Sequence, residues 1–168
     1  MWGLLLSPLA KPQSNASTQQ VLTNVILGNY RVSDDPNEII TTVLGSCVAV
    51  CLYDLSAGVG GMNHFLLPEG RSGDLEEVVF GLHAMELLIN SMLKQGAMKS
   101  NMKAKLFGGA KMIGGLSDIG ERNVQFAHEF LDDERLPILA ESVGGTMGRK
   151  LRFAPTTGSV MQRLVPSA

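Results

Sequence analysis

Through the first third of the chain, apolar positions come in short runs broken by turn residues, a pattern of strands rather than helices. Residues 21–27 mix β-branched and polar positions and stop at Gly28-Asn29, which reads as a turn. Residues 39–44 and 48–53 are rich in Val, Ile, Leu and Thr, with Gly45-Ser46-Cys47 between them. The second of these runs is almost continuously apolar, as expected of a strand covered on both faces. Residues 58–67 (GVGGMNHFLL) read as its return strand in a hairpin, closed by Pro68-Glu69-Gly70.

The period then changes. Val78, Leu82, Met85, Ile89 and Met92 recur in alternating steps of four and three, which predicts one face of a helix. Asp74 with Glu77 three residues on predicts a capping box at its start, and Lys94 and Gly96 supply its end. Residues 103–107 read as a strand running into Gly108-Gly109. A second helix is predicted over 121–134, with Phe126, Ala127, Phe130 and Leu131 along one side and Pro137 beyond its end. Strands follow over 138–143, 150–153 and 160–165, the last two as a hairpin across Thr156-Thr157-Gly158. Two helices and about eight strands, with no break in composition, predict a single α+β or α/β domain over residues 21–165, in which a sheet carries helices on one side. Residues 1–20 read as a flexible N-terminal extension. Their start (MWGLLLSPLA) is apolar but has no basic segment before it, as a secretion signal would.

Composition narrows the partners. Of 168 residues, 18% are charged, with 14 Lys and Arg against 16 Asp and Glu, a net charge of −2. No basic cluster offers a face for nucleic acid. No apolar run approaches the ~18 residues that cross a bilayer, so membrane insertion is not expected. Cys47 and Cys51 on one strand stand roughly 13 Å apart, too far for a disulfide. Reduced thiols in the cytoplasm are the expectation. The glycine-rich pieces at residues 107–111 and 114–120 match no phosphate-binding loop, so no nucleotide cofactor is expected.

Cys47 has the setting of a nucleophile. It follows two small residues at a turn, where a substrate can approach and where the N–H groups of Ser46 and Cys47 could face an oxyanion. A nucleophilic Cys needs a base, and His64 lies 17 residues on in the neighbouring hairpin strand. Thr41 and Thr42, on the preceding strand, are the nearest hydroxyls that could orient the imidazole. A Cys beside Val-Ala-Val is also the usual form of a small buried hydrophobe, so the spacing by itself leaves both readings open. Cys51 reads as core, and His83 and His128 sit on helices with no partner in the sequence. Cys47, Cys51 and His64 do not have the spacing of a zinc site, so no metal is expected.

The run TTVLGSCVAVCLYD from Thr41 to Asp54, followed by GGMNHFLLP from Gly60 to Pro68, closely resembles the CheD family of chemoreceptor glutamine deamidases. The blocks KLFGGAKM (residues 105–112), IGERNV (119–124) and VGGTMGRK (143–150), through Thr157-Gly158, agree with it. The resemblance spans residues 21–165. It implies a three-layer sandwich of mixed sheets with two main helices, no cofactor, and a papain-like Cys–His–Thr site. Its nucleophile falls on Cys47, its base on His64, and its Thr on Thr41, with the adjacent Thr42 as the fallback. It also implies conversion of selected Gln side chains on methyl-accepting chemotaxis proteins to Glu. As a second role it implies binding to a CheC-type CheY-phosphate phosphatase. Two further readings stand beside it: a mainly non-catalytic adaptor for receptors and phosphatase, and a thiol amidohydrolase with another substrate.

Overall fold

In the computed structural model, residues 19–68, 75–112 and 118–166 are described. Residues 1–18, which hold most of the expected N-terminal extension, lie outside them, as do the expected helix cap Asp74 and part of the 114–120 glycine piece. In chain order the elements are β1 (Val21–Asn24), β2 (Tyr30–Ser33), β3 (Glu38–Leu44), β4 (Val48–Asp54), β5 (Val59–Asn63), α1 (Leu75–Lys94), β6 (Lys103–Gly108), α2 (Ile119–Asp133), β7 (Ile138–Val143), β8 (Gly148–Ala154) and β9 (Ser159–Val165).

The strands form two mixed sheets, not one. The outer sheet has the order β1-β3-β8-β9 and the central sheet β2-β5-β4-β6-β7. The run 48–53 shows why. Val48, Val50 and Leu52 point to one core with Met85, Leu88 and Met92 of α1 and Ala127 and Leu131 of α2. Ala49, Cys51 and Tyr53 point the other way, into a second core with Ile40, Leu44, Leu151 and Phe153 of the outer sheet. Every residue of β4 is buried, because successive side chains alternate between a helix layer and a second sheet. The result is helices, sheet, sheet: the three layers the resemblance implied, in place of the single sheet read from the pattern alone.

Three local departures bear on the site. β1 ends at Asn24, so residues 25–27, predicted as strand, leave the outer sheet. β2, a four-residue strand before Asp34-Asp35-Pro36, was not predicted and pairs antiparallel with β5. In α1 the buried face includes Glu77, Gly81, Met85, Leu88 and Met92, while Val78 is exposed. Glu77 is buried and ion-paired with Arg122 of α2, while its expected capping partner Asp74 lies outside the described residues.

Candidate functional site

The chain passes from the outer to the central sheet between β3 and β4, and Gly45-Ser46-Cys47 is the crossing. Cys47 thus stands at the end of the inter-sheet layer, half-buried. His64 follows β5 and shares the inter-sheet face with Met62, two residues earlier. Its main chain is held by the turn before β2: His64 N–H donates to Asn29 O (3.0 Å), and Gly28 N–H donates to His64 O (2.8 Å). Asn63 points the opposite way, accepting from Val50 N–H at 3.0 Å and donating to Ala84 O at 3.3 Å. It fixes the strand end to α1. One residue further, Val48 and Phe65 exchange both main-chain bonds at 3.0 Å. Cys47 and His64 are therefore each one residue from the same main-chain pair.

The imidazole lies between two partners. His64 Nε2 is 2.9 Å from Cys47 Sγ, and His64 Nδ1 is 2.9 Å from Thr42 Oγ1. Thr42 Oγ1 donates to Val25 O at 2.7 Å. A hydroxyl has one proton, and here it goes to Val25 O. Thr42 must then accept from His64, which places the imidazole proton on Nδ1 and leaves the Nε2 lone pair facing the thiol. Val25 O also lies 3.3 Å from Nδ1, a second acceptor for that proton. The contacts run from Val25 O through Thr42 Oγ1 and the His64 imidazole to Cys47 Sγ, and this chain contains no carboxylate.

Thr41, the first expectation for the orienting hydroxyl, does not take that place. Its hydroxyl donates to Asn24 Oδ1 at 3.4 Å at the surface. The reason is strand parity: Ile40, Thr42 and Leu44 are buried on the inward face of β3, while Ile39, Thr41 and Val43 are not. Thr42, the fallback, has the contact.

Burial pushes the Cys47 thiol up, opposed by the N–H groups of Gly45 and of Cys47 itself, which favour the thiolate. Burial also pulls the imidazole of His64 down, opposed by the Val25 carbonyl. Each group alone resists charging. Moving the proton from Sγ to Nε2 creates both charges together at 2.9 Å, with no change in net charge.

The crossing loop is clamped from the β6–α2 side. Gly109 N–H donates to Cys47 O (2.8 Å) and Ala110 N–H to Gly45 O (2.9 Å). Asn123 Nδ2 donates to Ser46 O at 2.9 Å. Gly108 has φ +111, and a Cβ there would lie 2.1 Å from Cys47 O, so only glycine lets β6 pass this close. The 108–112 stretch also meets the 144–147 loop, Lys111 N–H donating to Gly145 O at 2.8 Å. A cavity of about 280 Å³ opens there, lined by Gly109, Lys111, Asp118, Glu121, Gly144 and Gly145 among others.

The remaining candidates lie elsewhere. Cys51 is fully buried in the inter-sheet core, His83 is exposed on α1, and His128 pairs with Glu141 at 2.8 Å. Among the described residues, no group of three or more His, Cys, Asp or Glu could hold a metal ion. Sequence reasoning missed the Val25 carbonyl, which has no side-chain signal, and Asn123, visible only as one letter of the block at residues 119–124.

The family model described as CheD chemotactic sensory transduction matches residues 66–164. A relative from Ruegeria sp. (strain TM1040), named probable chemoreceptor glutamine deamidase CheD 1, is 49% identical over 149 residues, covering 89% of this chain and 80% of that protein. A relative from Caulobacter vibrioides (strain NA1000 / CB15N), named probable chemoreceptor glutamine deamidase CheD, is 51% identical over 147 residues, covering 86% of this chain and 79% of the relative. Among solved structures, a Neisseria meningitidis protein of the DUF152 family superposes with a TM-score of 0.44 at 11% identity, covering 75% of this chain and 63% of that one.

Proposed function

The chain belongs to the CheD family, and on that premise we propose that it is a protein-glutamine deamidase. It hydrolyses selected glutamine side chains of methyl-accepting chemotaxis receptors to glutamate, through a thioester on Cys47. The observation that carries the reading is the contact of His64 Nε2 with Cys47 Sγ at 2.9 Å, with the other ring nitrogen occupied at 2.9 Å by Thr42.

His64 takes the thiol proton, and the Cys47 thiolate attacks the carboxamide carbon of a receptor glutamine. The carbonyl oxygen becomes an oxyanion beside the N–H of Cys47, with Ser46 N–H as the second candidate donor. His64 gives its proton to the departing nitrogen, ammonia leaves, and the thioester remains. Water, deprotonated by His64, then attacks that carbonyl. The carbon–sulfur bond breaks, glutamate is released, and the thiol recovers its proton. Each turnover consumes one water, releases one ammonia and leaves one new negative charge on a receptor helix. Such a charge shifts the receptor's balance of states by local electrostatics. The reaction needs no cofactor, and the thiol requires a reducing compartment, which the cytoplasm provides. Among the described residues no helix is long and apolar enough to cross a membrane. The proposed partners are the cytoplasmic helices of the receptors, with a CheC-type phosphatase as a second protein partner.

The test is intact-peptide mass spectrometry of a receptor signalling fragment incubated with wild type or Cys47→Ala. Conversion of particular glutamines by wild type alone supports the reading. No conversion by either, with receptor or phosphatase still captured, replaces it with the adaptor reading. Conversion of other amides only points to a different amidohydrolase, and conversion by both variants removes Cys47 from the mechanism.

A further inference from the structure

All three carbonyls of the crossing loop point toward the β6–α2 side, but their donors differ. Gly45 O and Cys47 O are held by the main-chain N–H groups of Ala110 and Gly109. Ser46 O is held by a side chain, Asn123 Nδ2 at 2.9 Å, 77 positions along the chain. Asn123 is fully buried, and its Oδ1 accepts from Leu67 N–H at 2.9 Å. The amide therefore has one orientation only, since the reverse would set oxygen against Ser46 O and NH2 against Leu67 N–H. Leu67 N–H calls for an acceptor at this position, but seating α2 does not require the amide's second bond, to Ser46 O. Glu77–Arg122 already fixes α2 to α1, and Ala127, Phe130 and Leu131 already seat α2 on the core. The close approach of Gly120 to Gly109, where a Cβ on Gly120 would lie 2.5 Å from Gly109 O, fixes the distance from α2 to the loop.

A peptide unit is planar and trans, and among the described residues no bond is cis. The C=O of Ser46 and the N–H of Cys47 belong to one such unit and point in opposite directions. Pinning Ser46 O toward α2 aims Cys47 N–H away from α2. The next unit shows the same relation: Cys47 O receives Gly109 N–H on one side, and Val48 N–H donates to Phe65 O on the other. We propose that Asn123 is a positioning residue for the deamidation. By holding the Ser46 carbonyl, it sets the direction of the Cys47 N–H that receives the oxyanion. This rests on the deamidase reading of Cys47 and adds a residue that touches neither sulfur nor substrate.

The test separates oxyanion support from thiol reactivity. Asn123→Asp keeps the acceptor for Leu67 N–H and removes the donor to Ser46 O. Asn123→Ser, smaller and uncharged, removes both bonds and serves where the acidic variant does not fold. Deletion of an oxyanion donor costs about 10²–10³ in kcat. Misdirecting one is expected to lower kcat on the receptor fragment roughly 10–100-fold, with KM within about twofold. Alkylation of Cys47 by iodoacetamide, which reads the Cys–His pair without an oxyanion, should stay within about threefold of wild type. A folded variant with unchanged kcat, or a parallel loss of kcat and alkylation, would overturn the proposal. A second reading comes from nuclear magnetic resonance with a glutamine-aldehyde peptide. There Sγ bonds to the aldehyde carbon, and the thiol proton passes to the new oxygen. The Cys47 amide proton should move downfield in wild type and not in Asn123→Ser; an unmoved wild-type signal also overturns the proposal. Wild type that converts no glutamine would overturn the deamidase reading and the deamidation role of Asn123 with it, while the aldehyde titration would still show whether Asn123 directs the Cys47 N–H.

Discussion

Replacing Thr42 by Val tests the orienting chain at its middle link. The two side chains have nearly the same shape, so the change removes a hydroxyl and opens no cavity. It deletes two bonds: the 2.7 Å donation to Val25 O and the 2.9 Å acceptance from His64 Nδ1. At about 1 kcal/mol net for each neutral bond, the gross loss is roughly 2 kcal/mol. Part returns, because Val25 O already lies 3.3 Å from Nδ1 and can accept its proton alone. A net cost of about 1–2 kcal/mol remains, which lowers kcat/KM roughly 5–30-fold if it falls on the reactive orientation of the imidazole. For a domain of this size, the same cost lowers Tm by about 2–8 °C. Thr41→Val removes only a surface bond of 3.4 Å to Asn24 and should leave kcat/KM within about twofold. The assay is the initial rate of Gln-to-Glu conversion on a receptor fragment, below saturation, beside a melting curve for each variant. A larger loss from Thr41→Val than from Thr42→Val, or no loss from either, would refute the reasoning about strand parity and the tautomer of His64.

Two further expectations concern pH. Protonated His64 cannot accept the thiol proton, and burial holds its pKa below the usual 6.5. The acid limb of kcat/KM should therefore centre below pH 6.5, and a limb centred above pH 7 would contradict the buried neutral pair. The second concerns Glu38, which is buried and accepts from Arg31 Nε at 2.8 Å, Arg31 Nη2 at 2.9 Å and Thr23 Oγ1 at 2.6 Å. The guanidinium of Arg31, with the hydroxyls of Ser33 and Thr23, lowers its pKa from 4.5 to about 2. A depressed carboxylate contributes stability above its unfolded pKa and loses it as pH falls through the folded one. At ~1.4 kcal/mol per unit this amounts to roughly 3 kcal/mol, discounted to about 2 because Arg31 is half exposed. Urea unfolding of Glu38→Gln should show a deficit of that size at pH 7, narrowing between pH 4.5 and 2; a deficit constant to pH 2.5 would refute it.

Some of this was legible in the letters and some was not, for identifiable reasons. The Cys47–His64 pairing could be read because a hairpin constrains which residues meet, and GSC between two apolar runs marked the crossing. The choice between Thr41 and Thr42 could not, because β3 is apolar on both faces: Ile40 and Leu44 flank one threonine, Ile39 and Val43 the other. A one-residue change of parity moves a side chain to the opposite face, and only the packing of β3 on β4 decides it. The second sheet was hidden for a related reason. A continuous apolar run says that both faces of β4 are covered, without saying that one cover is helical and the other a sheet. Glu77 fitted a local capping pattern, which gives no sign of its tertiary pairing with Arg122. Val25 acts through its main chain, so no residue type at that position could have advertised it.

The spread of contributors along the chain has a consequence for when the thiol becomes dangerous. Val25, Thr42, Cys47 and His64 are synthesised before the donors that clamp the Cys47 loop, which come from Gly109, Ala110 and Asn123. The strand that pairs with β3 comes later still, at Gly148–Ala154. A nascent chain thus carries the thiol and the imidazole before it can hold them in register. A product truncated before β8, which lacks the partner of β3, should therefore be unable to modify any protein it meets.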